Sequence, residues 1–147
     1  MEMVDSNQQK LSLPEIIEIA AMNTGYEGNP KDAIKAVTEE LKKPDVEHIQ
    51  FGNTLFIVQK MKDKVCIFRA LNADVARNFV DNAARFVQWV YRKVKMDYGV
   101  TFFKGEAIHR LIKALYKIQP NKDVAYEIAN MASGKKRAIV QFGPRRK

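Results

Sequence analysis

The sequence predicts an α+β domain, on three observations. Two apolar stretches at helical spacing open the chain, three short β-rich runs follow, and a long amphipathic stretch then precedes a strand, a helix and a hairpin. The predicted order is ααβββαβαββ. It occupies 147 residues, a length that suits one domain and can bury a core without disulfides or metal. Hydrophobic residues are 46% and charged residues 29%, the composition of an ordinary globular chain.

Residues 1–11 are polar and read as an arm, ahead of one domain at 12–142 and a basic arm at 143–147. Ser12-Leu13-Pro14-Glu15 has the form of a capping box, in which Ser12 accepts the Glu15 amide and Glu15 reaches back to Ser12. Leu13, Ile16, Ile17, Ala20 and Ala21 then fall on one helical face, which Gly25 to Gly28 ends. Asn29 caps a second helix with Pro30 at its first position. Its apolar face is Ala33, Ile34, Val37 and Leu41, and Pro44 stops it.

His48 to Phe51, Leu55 to Val58 and Val65 to Phe68 read as an antiparallel meander, with turns at Phe51-Gly52-Asn53-Thr54 and Lys62-Asp63-Lys64. From about Asp74 to Met96, Val75, Phe79, Ala83, Phe86, Val90 and Val94 recur at steps of three and four. Asp74 is a good helix cap, and Arg77, Asp81 and Arg85 are spaced to pair along the other face. Asp97-Tyr98-Gly99 ends this helix. A strand from Val100 to Phe103 follows, then Gly105 and a helix from Glu106 to Pro120. Val124 to Ile128 and Ala138 to Phe142 read as a hairpin.

Lys and Arg total 25 against 17 Asp and Glu, a net charge of +8. Lys135, Lys136, Arg137, Arg145, Arg146 and Lys147 carry most of it, with no acidic residue among them. A second basic rise runs from Arg92 to Lys117 and includes Arg110 and Lys113. Such asymmetry suits an anionic partner, or a solvated basic surface. One cysteine excludes an internal disulfide, and with two histidines it excludes the usual zinc sites, so no metal is expected. No apolar run spans a membrane, and Met1 to Asp5 lacks the form of a secretory signal, so a soluble intracellular chain without a membrane partner is expected.

The element order over residues 12–142 resembles the GNAT acetyltransferase fold, with its mixed, mostly antiparallel sheet and helices packed on it. The strand-Gly105-helix unit from Val100 to Tyr116 also resembles the small GNAT-like internal virion proteins of podovirus-type tailed bacteriophages, with a partial match at Arg110 and Lys113. In the GNAT acetyltransferases a loop of the form Gln/Arg-x-x-Gly-x-Gly/Ala approaches the coenzyme A pyrophosphate. Glycines permit the approach, and the helix N-terminus offers amides. The equivalent stretch here, Arg69 to Arg77, has no glycine, and Asp74 sets a negative charge where a phosphate belongs. No cofactor is therefore expected. The family's catalytic tyrosine position is taken by Leu111, leaving Tyr116 as the one weak acid candidate, and the strand Val65 to Phe68 offers no carboxylate base.

The remaining chemistry-bearing residues have ordinary readings. Cys66 lies in an apolar strand and reads as a buried, inert thiol. His48 and His109 lie in different elements without acidic neighbours. His109, Arg110, Lys113 and Lys117 share a helix surface that faces phosphates or, the better reading, water. Trp89 could stack on a base, though a tryptophan so placed more often packs at a core edge or subunit contact. The resemblance implies a non-catalytic structural or assembly protein of a tailed-phage virion, in the virion or host cytoplasm. Its implied partners are other virion proteins in a multi-copy assembly, and packaged DNA at the basic C-terminal tail. The alternatives are an acetyl-CoA-dependent N-acetyltransferase and a sequence-independent nucleic-acid-binding module.

Overall fold

The computed structural model describes residues 10–23, 26–103, 126–130 and 134–143. Helices α1 (Leu13–Asn23) and α2 (Pro30–Glu40) precede strands β1 (Val46–Phe51), β2 (Thr54–Lys60) and β3 (Val65–Asn72). Helix α3 (Ala76–Trp89) then leads to β4 (Tyr98–Phe103), β5 (Tyr126–Asn130) and β6 (Lys136–Gln141). The strands form one six-stranded sheet in the order β1-β2-β3-β4-β6-β5. β3 and β4 are parallel, and every other neighbouring pair is antiparallel. The α+β class, the meander and the C-terminal hairpin agree with the sequence reading. The helix expected from Glu106 to Pro120 lies outside the described residues.

Local signals set the first two helices. The Ser12 amide donates to Glu15 Oε1 at 2.9 Å, and the Glu15 amide lies 3.4 Å from Ser12 Oγ, the reciprocal arrangement expected. Asn29 Oδ1 accepts the Lys31 amide at 2.9 Å, and Pro30 occupies the first turn.

The sheet buries apolar side chains on both faces. Leu55 and Ile57 of β2 join Ile16, Ile17, Val37 and Val46 beneath α1 and α2. Phe56 and Val58 point the other way, into a cluster with Cys66, Phe86, Val90, Val140 and Phe142 beneath α3. A strand covered twice must be apolar throughout, which is why β2 runs Leu-Phe-Ile-Val without alternation. Phe86 is the hub of the α3 side. It stacks on Phe56 at 4.4 Å between ring centroids and meets Phe142 edge-on at 6.2 Å.

The long helix departs from its predicted form at both ends. Asp74 does not cap it: Val75 is the N-cap, with no side-chain capping bond, because the Asp74 carboxylate is engaged elsewhere. At the other end the backbone widens into a π turn at Val90–Val94, closed by left-handed Lys95. This turn keeps Val90, Val94 and Met96 all in the core. Arg77, Asp81 and Arg85 form no ion pair among the described residues. Tyr98 and Gly99, predicted to end the helix, instead begin β4. Gly99 is there for clearance, since a Cβ would collide with Phe142 Cζ and lie 2.6 Å from Phe68 Cδ1.

Gly99→Ala forces the aromatic cluster apart and should destabilise the fold by about 1–3 kcal/mol in urea denaturation. The Ser12 amide, and secondly the Ser12 hydroxyl, hold the Glu15 carboxyl below its ordinary value. Its stabilising effect is thus present above the unfolded-state pKa and lost as pH falls through the lower folded-state value. Glu15→Gln keeps an acceptor for Ser12 but cannot titrate. Between about pH 5 and about pH 2 the wild type should lose a Tm increment that this variant lacks.

Candidate functional site

The link from β3 to α3 is where the glycine loop was sought. Only residues 73–75 separate the strand from the helix. Asn72 Oδ1 accepts the Asp74 amide at 3.0 Å and the Thr54 hydroxyl at 2.7 Å, while Asn72 Nδ2 donates to the Asp74 carbonyl at 2.9 Å. The Ala73 amide donates to the Asn53 carbonyl at 2.9 Å. Asp74 Oδ2 in turn accepts the Asn53 amide and Asn82 Nδ2, both at 2.7 Å. Asn82, which is buried, also reaches Thr54 Oγ1 at 3.1 Å.

The result is a polar weld between the β1–β2 turn, the end of β3 and the second turn of α3. Gly52 makes the approach possible. Its φ is +55°, and a Cβ there would stand 2.8 Å from both Asn82 Nδ2 and Asp74 Oδ2. The chain before α1 joins at the same place: the Leu11 amide donates to Asn53 Oδ1 at 2.8 Å, and Gln50 Nε2 donates to the Leu11 carbonyl at 3.0 Å. Beside the weld opens a polar cavity of about 260 Å³, lined by residues that include Lys10, Asp81 and Arg85. Arg69, at the head of the sought loop, is ion-paired with Glu40 of α2.

The other predicted residues are placed as follows. Burial pushes the Cys66 thiol up to about 12, so it stays protonated at neutral pH, as its apolar strand implied. His48 is exposed on β1, and Trp89 packs against Phe86 at 6.3 Å, the core-edge reading. Lys136 pairs with Phe103 at one end of the sheet, whereas Gln141 pairs with Tyr98 at the other. Strand β6 therefore separates Arg137 from Gly143 by roughly 20 Å. His109, Arg110, Lys113, Tyr116, Lys117, Arg145, Arg146 and Lys147 lie outside the described residues. Among the described residues no group of three or more His, Cys, Asp and Glu could hold a metal, and no helix is long and apolar enough to cross a membrane. Sequence reasoning missed Asn53, Thr54, Asn72 and Asn82, whose roles arise only where separate elements meet.

No protein-family model matches the sequence, and no curated protein matches it. Solved structures do match the fold. An acetyltransferase of the GNAT family from Bacillus anthracis superposes with a TM-score of 0.59, at 8% identity, over 91% of this chain and 93% of that one. A chimera of spermidine N-acetyltransferase SpeG from Vibrio cholerae and hSSAT gives 0.59 at 7% identity, over 91% and 93%. The Campylobacter jejuni N-acetyltransferase PseH, in complex with acetyl coenzyme A, gives 0.52 at 11% identity, over 89% and 92%.

The chain has a GNAT-like fold. In this GNAT-like sheet the pairing of β3 with β4 runs only from Val65 opposite Tyr98 to Ile67 opposite Val100, although both strands continue beyond it. Asn82→Ala strips a donor from both Asp74 and Thr54 and should cost about 1–3 kcal/mol in urea denaturation. Asn78→Ala, at the cavity wall outside the weld, should change stability by less than about 0.5 kcal/mol.

Proposed function

We propose that this chain is a GNAT-fold protein that does not take acetyl-CoA at the family's phosphate loop and serves as a structural or assembly component. One observation carries this reading. The Ala73 and Asp74 amides, which a glycine loop would present to a pyrophosphate, already donate to Asn53 and Asn72. The Asp74 carboxylate at the start of α3 adds a negative charge that repels phosphate. Binding the cofactor there would require breaking a part-buried polar weld and displacing a carboxylate. The resemblance of Val100 to Tyr116 to internal virion proteins supports a tailed-phage particle, with other virion proteins in multiple copies as the partners.

A second reading, acetyl-CoA-dependent N-acetyltransferase, is favoured by the parting of β3 from β4 after Ile67 and Val100 and by the acetyltransferase neighbours. Tyr116 is its acid candidate.

Thermal shift with acetyl-CoA decides between them. A ligand that binds only the folded state adds about 2.7 kcal/mol of stability at a hundredfold excess over its Kd. No Tm change at millimolar acetyl-CoA is expected. A saturable rise in Tm would overturn the proposal, and loss of acetyl transfer in Tyr116→Phe would then establish the enzyme.

A further inference from the structure

The sheet end opposite the polar weld gathers charge from segments distant in sequence. The turn between β2 and β3 carries Lys62 and Lys64, and the close of α3 carries Arg92, Lys93 and Lys95. The Asp97 amide donates to the Lys64 carbonyl at 2.8 Å, which holds the two turns side by side. All five cations are exposed, and among the described residues none of them is ion-paired. Asp63 is the one exposed acid on these two turns.

Part of this charge has a folding reason. Arg92 and Lys93 lie where cations favour the negative end of a helix. Lys62 and Lys64 have no such reason, and two of the lysines sit against backbone preference. Lys64 has φ +61° and Lys95 has φ +66°, left-handed positions that glycine or asparagine fills more easily. Each of these lysines gives up some backbone preference and sets a charge on this surface, as Asp63, also left-handed at φ +61°, does with the opposite sign.

We propose that this end of the sheet, formed by Lys62, Lys64, Arg92, Lys93 and Lys95, is a docking surface for the sugar-phosphate backbone of a nucleic-acid duplex. Its chemistry selects that partner. The cations are spread over two adjoining turns, with no exposed aromatic among the described residues of those turns to stack on an unpaired base. Met61 is the one exposed large apolar side chain on them, which is too little for the anchored core of a protein interface. Phosphate contacts of this kind are sequence-independent and release counterions. The surface is far from the β3–α3 link, so the inference stands whether or not acetyl-CoA binds.

The test uses the full-length chain and a labelled random-sequence DNA duplex of roughly 30 base pairs, with anisotropy read from roughly 50 to roughly 200 mM salt. Five phosphate contacts give a log-log salt slope of about −4.5, so binding should weaken a few hundred-fold across that range. The double variant Lys64→Gly with Lys95→Gly relieves both left-handed positions, so Tm should hold or rise. Its salt slope should become shallower by about two. Lys64→Arg with Lys95→Arg keeps the charge and should bind as wild type. The proposal falls if the wild type does not bind the duplex at the lowest salt, or if the glycine variant binds with unchanged affinity and slope. It also falls if deleting residues 144–147 abolishes binding that the glycine variant retains, because the contact is then the tail.

Discussion

The hydrogen bonds that join Asp74, Asn82, Thr54 and Asn72 govern how α3 lies on the sheet. Asn82 meets Thr54, and Phe86, one turn further along the helix, stacks on Phe56, two residues further along the strand. Four residues of helix advance about 6 Å and two residues of strand about 6.6 Å, so the polar and aromatic contacts share one register. A shift of α3 that broke one would break the other. Buried polar groups make this constraint sharp, since Asn82 without its acceptors would leave unmet donors in a medium where each is costly. Gly52 is part of the same constraint, because any side chain there would push the turn off the helix.

The weld also meets the amides of the β3–α3 link from within the chain while the GNAT-like fold is kept. The family's loop has to leave amides unmet until a cofactor arrives, and glycines let a phosphate come close. Here Asn53 and Asn72 take those amides, and Asp74 turns back toward the hairpin instead of capping the helix. A loop satisfied from within is a stronger fold element. Neighbours at 8% identity with a TM-score of 0.59 are consistent with a scaffold held by packing while the chemistry at its loops varies.

What could be read from the residues alone was what local physics decides. Ser12 with Glu15, and Asn29 with Pro30, act on amides within a turn of themselves, and both predicted helix starts hold. The meander was legible because β-rich runs alternate with turn residues. Misreadings arose where a distant partner outcompeted a local preference. Asp74 is a good cap in isolation, but the Asn53 amide and Asn82 are better partners for its carboxylate. Gly99 looked like a turn glycine, and the rings of Phe68 and Phe142 that require it lie 31 residues before and 43 after it in sequence. The missing glycines of the loop were visible in sequence, whereas the side chains that replace their function were not.

Charge shows the same division between run and place. The residues from Lys135 to Lys147 form one basic run in sequence, but β6 carries the chain from one end of the sheet to the other between Lys136 and Gln141. Lys62 and Arg92 are 30 positions apart, yet their turns adjoin. The direction of α3 orders these charges. Its N-terminus, with the positive end of the helix dipole, lies beside the Asp74 carboxylate, and its C-terminus lies among Arg92, Lys93 and Lys95. Asp74 therefore favours the helix electrostatically even though it does not cap it. Because β3 and β4 are parallel, α3 must cross back from one end of the sheet to the other to connect them. The connection that makes the fold thus sets the internally bonded weld at one end of the sheet and the open turns of Lys62, Lys64, Arg92, Lys93 and Lys95 at the other.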